Sequence, residues 1–206
     1  MMKLYAGAAV AAIVAAVGGI WAYTAVMTSE DQFAQCRAGA IAGGVAEIGG
    51  PFTLVNGEGI AVSESDVITG PTLIYFGYTF CPDVCPFDVA RNALAIDVLE
   101  EMGIEATPVF ISIDPERDTP EVVGNFAANM HPRMIGLTGT PEQVQAASKA
   151  FRTYYSKQDS GDEYYLVDHS TFTYLVLPEV GFVEFYRRET SPEEMAESVA
   201  CFAEAA

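Results

Sequence analysis

Two cysteines, Cys81 and Cys85, stand four residues apart in the segment Gly77-Tyr78-Thr79-Phe80-Cys81-Pro82-Asp83-Val84-Cys85-Pro86. Residues at that spacing lie on one side of a helical turn, so both sulfurs can converge on one point. The segment follows the apolar run Thr72-Leu73-Ile74-Tyr75-Phe76 and precedes a helical pattern from about Pro86 to Met102. It therefore occupies a strand-to-helix junction, where open α/β sheets form their sites. A helix N-terminus also favours thiolate over thiol. Two thiolates favour Cu(I), and an added imidazole also suits Cu(II). The spacing leaves two other uses open. One is a structural disulfide; the other is a redox dithiol, although the usual Cys-X-X-Cys type has two intervening residues and this pair has three.

An imidazole partner must come from His131 or His169, the two histidines of the chain. His169 lies in Val167-Asp168-His169-Ser170, read as a strand–loop junction of the tail hairpin and within reach of the cysteine loop. Its alternative role is that of a loop histidine bonded to its neighbours. His131, in Asn129-Met130-His131-Pro132, reads as a helix C-terminus, where the dipole favours a histidine, rather than as a second copper site. The other two cysteines, Cys36 and Cys201, stand at the extremes of the chain beyond its apolar start. Domain termini are often neighbours in space, so a structural disulfide between them is expected.

The chain of 206 residues suits one domain and an appendage. Lys3 is the one charged side chain before Glu30, leaving 9 basic against 28 acidic residues from Ser29 onward. Such a surface repels phosphate backbones, so no nucleic-acid partner is expected. The uncharged stretch Leu4 to Ser29 exceeds the ~20 residues that cross a bilayer core, with Tyr5, Trp21 and Tyr23 near its ends. Residues 1–28 are expected to form a single-pass anchor with a cytoplasmic N-terminus and the body outside; the rival reading is a cleaved signal peptide, whose apolar core is normally shorter, about 7–15 residues. Residues 29–50 read as a connection and 51–206 as the folded domain.

The elements that must place these residues follow from punctuation and period. Strands at 52–55 and 59–62 flank Asn56-Gly57-Glu58 as a hairpin. Buried strands are expected over 72–78 and 107–113, with a shorter one over 134–137. Thr119-Pro120, Thr140-Pro141 and Ser191-Pro192 each pair an N-cap with proline at the first helical position. These begin helices that run to about Met130, to about Tyr154 and to the chain's end. Strands over 164–167, 171–177 and 181–186 complete the pattern. The order predicts an α/β fold, a central mixed sheet flanked by helices.

Three segments carry a resemblance to a known family: Gly77 to Pro86, Ser112-Ile113-Asp114-Pro115-Glu116-Arg117-Asp118-Thr119-Pro120, and Asp168-His169-Ser170. Together, in this order and over roughly residues 50–205, they resemble the Sco/SenC family. The resemblance implies a thioredoxin-like fold that binds one copper ion, Cu(I) or Cu(II), through Cys81, Cys85 and His169. It implies a metallochaperone that assists assembly of the CuA centre of cytochrome c oxidase subunit II, loaded by an upstream periplasmic copper donor; the bacterial inner membrane is expected from the N-terminal residues, which show no Arg/Ser-rich amphipathic transit segment. The competing implication is an enzyme, a thiol–disulfide oxidoreductase that uses Cys81 and Cys85 to reduce the subunit II cysteines. Asp114, and Asp168 by adjacency to His169, are candidates for outer groups of the site or simply for turn and capping residues. Cys36 and Cys201 lie outside the family's copper motif.

Overall fold

The computed structural model describes residues 13–21, 32–37, 48–158 and 164–206. The chain divides into two units, residues 1–35 and 36–206. In the first, residues 13–21 are helical and exposed. Among the described residues no helix is long and apolar enough to cross a membrane. The remainder of the expected anchor, and most of the connection over 29–50, lie outside the described residues.

The second unit is built on a seven-stranded mixed sheet ordered β2-β1-β5-β4-β3-β8-β9. Its strands are β1 (Thr53–Asn56), β2 (Ala61–Ser63), β3 (Thr72–Gly77), β4 (Thr107–Ser112), β5 (Ile135–Thr138), β8 (Thr173–Leu177) and β9 (Gly181–Tyr186). β3, β4 and β5 run parallel, while β1 and β8 pair antiparallel on either side of them. All six residues of β3 are buried, as a strand covered on both faces requires. Among its described residues five helices follow in chain order: α1 (Glu64–Val67), α2 (Val84–Glu101), α3 (Pro120–Met130), α4 (Pro141–Ala150) and α5 (Pro192–Ala205). The side chains of Thr119, Thr140 and Ser191 accept the N–H three residues on, with proline opening each helix as the sequence indicated. Each cap stabilises its helix by about 1 kcal/mol.

The core packs Leu54, Ile74, Phe76, Ile111 and Leu137 with the rings of Phe110, Phe151 and Tyr174. Phe76, Phe151 and Tyr174 meet mutually at centroid distances of 5.4, 5.5 and 6.0 Å. The Cys36–Cys201 disulfide is present, with Cα atoms 5.6 Å apart, and ties the start of this unit to α5.

The tail departs from the expected order. α4 stops at Ala150 instead of near Tyr154, because Arg152 takes a left-handed backbone (φ 52°) that ends the helical path. The chain then forms β6 (Tyr155–Lys157), which pairs antiparallel with β7 (Val167–His169) in a sheet of its own. His169 thus belongs to this small β6–β7 sheet and not to the β8–β9 hairpin. Strand β7 also begins three residues later than the 164–167 expected. α1 was likewise not anticipated.

Candidate metal centre

In the parallel pair β3–β4, Gly77 stands opposite Ser112, so the loops that leave both strands emerge side by side. One carries Cys81 and the other carries Asp114 to Asp118. A buried carboxylate fastens them. Asp118 accepts hydrogen bonds from Thr79 N at 3.0 Å, from the Thr79 hydroxyl, and from the Ser112 hydroxyl at 2.6 Å. Burial pushes its pKa above the usual carboxylate range, against the pull of those donors. The sequence showed Asp118 only as a member of the Ser112 to Pro120 segment, so its clamp was missed.

The N-terminus of α2 lacks the usual side-chain cap: Asp83 occupies the position but makes no capping hydrogen bond. A sulfur takes that role. The Cys85 N–H donates to Cys81 Sγ at 3.4 Å, and Pro86 in the same turn has no N–H to compete. Both thiols are free and buried. The Cys81 thiol is pushed down to about 4, first by the hydrogen bond from the Cys85 thiol and then by backbone N–H groups of Cys85 and Asp83, against its burial. Cys85 is pushed up, by that same hydrogen bond first and by burial second. At neutral pH the pair therefore holds one thiolate and one thiol.

Gly77 makes room for this arrangement. A Cβ there would lie 2.8 Å from the Tyr75 ring, 3.0 Å from Cys85 Sγ and 3.1 Å from the Phe110 ring. Only a residue without Cβ lets the Cys85 sulfur lie against the end of β3.

His169 completes the group. Its Nε2 lies 3.3 Å from Cys85 Sγ, and the ligand atoms of Cys81, Cys85 and His169 all fall within 4.8 Å of one another. Nδ1 faces the Ser170 carbonyl at 2.8 Å, so Nδ1 carries the proton and the Nε2 lone pair points at the sulfurs. Tyr75 and Tyr78 meet the imidazole edge-on at 6.2 and 5.9 Å and fix its plane. Two soft sulfurs and one imidazole nitrogen, already convergent, form a donor set that could hold a metal ion and suits copper in either oxidation state.

The other residues singled out in the sequence lie outside the donor set. Asp168 is exposed and accepts from Gln158 Nε2 at 2.8 Å, because neighbours along a strand face opposite ways. The partner of the His169 ring is the Ser170 carbonyl instead. Asp114 is buried beside the centre, where it accepts from the Tyr165 hydroxyl at 2.6 Å and from Arg117 Nε. His131 caps α3: its Nδ1 accepts from Arg133 N at 3.1 Å and its Nε2 faces Asp97 at 3.2 Å.

A thioredoxin-like α/β domain with a cysteine pair at a strand–helix junction and an imidazole brought over it defines a class of soft-metal thiol proteins. Comparison narrows that class. Residues 42–204 match the model of the SCO1/SenC family, and the chain belongs to that family. It is 54% identical over 203 residues to protein SenC of Rhodobacter capsulatus, covering 98% of this chain and 91% of SenC. Identity to the mitochondrial SCO1 homolog 1 of Arabidopsis thaliana is 43% over 157 residues, 76% of this chain but 47% of that protein. Among solved structures, copper-bound ScoI of Arabidopsis thaliana superposes with a TM-score of 0.71 at 41% identity, over 76% of this chain and 99% of that one. BsSco, a Sco-family cytochrome c oxidase assembly protein with an identified disulfide switch, matches at a TM-score of 0.59 and 27% identity, over 74% of this chain and 91% of that one.

Proposed function

We propose that this protein binds one copper ion through Cys81, Cys85 and His169 and passes it to the CuA centre of cytochrome c oxidase subunit II. The observation that carries this reading is the convergence of three soft and borderline donors within 4.8 Å, with both thiols free. The copper-bound relative supports it. Each ligand has a distinct task. Cys81 supplies a ready thiolate, Cys85 supplies a second sulfur from the helix turn, and His169 adds the nitrogen that accommodates Cu(II). Three ligands leave an approach through which an acceptor's thiols displace them one at a time. The copper comes from an upstream periplasmic donor. Residues 1–28 hold the domain to the bacterial inner membrane with its body in the periplasm, a reading supported by the uncharged run from Leu4 to Ser29.

A second reading has its own support. A thiolate at Cys81 beside a thiol at Cys85 is the arrangement a thiol–disulfide reductase uses, the first attacking and the second resolving. The disulfide switch of BsSco favours the same chemistry.

The two are separated by mixing copper-loaded protein with a CuA domain whose cysteines are already reduced. Appearance of the CuA spectrum, with loss of copper from this protein, is expected. A copper-free protein that reduces an oxidised CuA domain, paired with a loaded protein that transfers nothing, would replace the first reading with the second.

A further inference from the structure

We propose that Arg117 is a positioning residue of the metal centre, acting through the β6–β7 sheet to hold His169 over the cysteine pair. This rests on the copper reading above. The β6–β7 sheet lies outside the main ladder and must be fastened to the domain by side chains. Arg117, in the loop after β4, reaches three parts of the site at once. Its Nε donates to Asp114, and its Nη1 donates to the Tyr165 carbonyl at 3.0 Å, two residues before β7. Its guanidinium carbon stands 3.6 Å from the Tyr165 ring centroid, 4.9 Å from that of Phe80 and 5.7 Å from that of Tyr78. Phe80 and Tyr78 belong to the cysteine loop, and Tyr165 leads into the histidine strand.

The contacts form a closed circuit. The Tyr165 hydroxyl donates to the same Asp114 carboxylate that Arg117 holds. Val167 N donates to the Tyr78 hydroxyl at 3.3 Å, and the Tyr78 ring abuts the imidazole. Only a planar, forked cation can bond a carboxylate and a carbonyl while stacking on rings. Arg117 Nη2 is buried with no hydrogen-bond partner among the described residues, and the aromatic faces supply its electrostatic complement. Lys157 also lies over Tyr165, at 3.7 Å, but its side chain is 50% exposed and its partner Glu116 63%, so water screens that pair. Arg117 is 15% exposed and carries the weight of the junction.

The test has a metal-free arm and a metal arm. In copper-free protein, Arg117→Ala is expected to speed amide exchange at Gln158, Val167 and Ser170 at least about tenfold, with β3 and β4 amides unchanged. For Cu(II), Arg117→Ala is expected to lower affinity by about 10–100-fold and to move the thiolate absorption toward that of His169→Ala. In a His169→Ala background the same substitution is expected to lower it no further. If Arg117→Ala fails to fold, Arg117→Lys, which keeps the charge without the fork, is read in the same way. Unchanged exchange in β6–β7, or losses that multiply in the double variant, would overturn the proposal alone. Wild-type protein that takes up no copper would overturn the copper reading and this proposal with it.

Discussion

The cysteines and the histidine of this centre are held by different forces. Cys85 sits in the first turn of an 18-residue helix that packs on a strand with every residue buried. His169 ends a three-residue strand whose partner strand exposes Ser156 and Lys157. The sulfurs are thus fixed by hydrophobic burial and helix geometry, whereas the imidazole is placed by one ladder, two tyrosine edges and a cation stacked on rings. Burial is cooperative and global; the hairpin's fastenings are local and open at lower free energy. The difference suits the proposed carrier role, in which the dithiol base would retain the ion while a looser third ligand adapts to its oxidation state or yields to an acceptor.

The comparison can be sharpened by perturbing the two halves separately. The largest stability change is expected from removing the Cys36–Cys201 disulfide, which closes a loop of sequence separation 165 and uses neither cysteine of the centre. Replacing both cysteines by serine should lower unfolding free energy by about 2–5 kcal/mol in denaturant titration while leaving copper stoichiometry intact. Next come two substitutions on the cysteine side. Gly77→Ala forces a methyl against Tyr75, Cys85 and Phe110, and should destabilise by about 1–3 kcal/mol and weaken copper binding. Asp118→Asn, which turns one amide face toward donors that need an acceptor, should cost a similar ~1–3 kcal/mol. Lys157→Ala on the hairpin side should change stability by less than about 1 kcal/mol. A larger loss there would show that the exposed ion pair, not Arg117, fastens the hairpin.

A pH measurement divides the cysteines themselves. With Cys81 pushed down to about 4 and Cys85 pushed up, iodoacetamide should label Cys81 alone, at a rate sustained from pH 8 down to about 4. A lowered thiol contributes its full stabilisation above its unfolded pKa of about 9 and loses it as pH falls through about 4. Cys85 is protonated in both states below pH 8 and adds no slope in that window. Equal labelling of both cysteines would remove the distinction.

Much of this was legible in the residues. The cysteine spacing, the three N-cap–proline helix starts and the apolar runs of β3 and β4 are local signals, and each element formed where its signal stood. The histidine half was less readable. β6 is three residues long, with no apolar alternation to betray it, and its formation depends on Arg152 turning left-handed after α4. The seating of His169 over Cys85 arises from that non-local pairing. For the same reason Asp168 looked like a partner by adjacency, yet the strand's alternation turns it away, and Asp118 and Arg117 carried no role of their own until the parallel register brought their loop beside the cysteines.

The most direct test is the copper content and Cu(II) absorption of the purified protein, compared with His169→Ala and with Cys81→Ser/Cys85→Ser. About one copper per chain with a thiolate charge-transfer band is expected in the wild type. The band should be lost in the cysteine pair, and tight Cu(II) binding lost in the histidine variant. Wild-type protein that holds no copper, or a histidine variant whose band and affinity match the wild type, would contradict the copper reading.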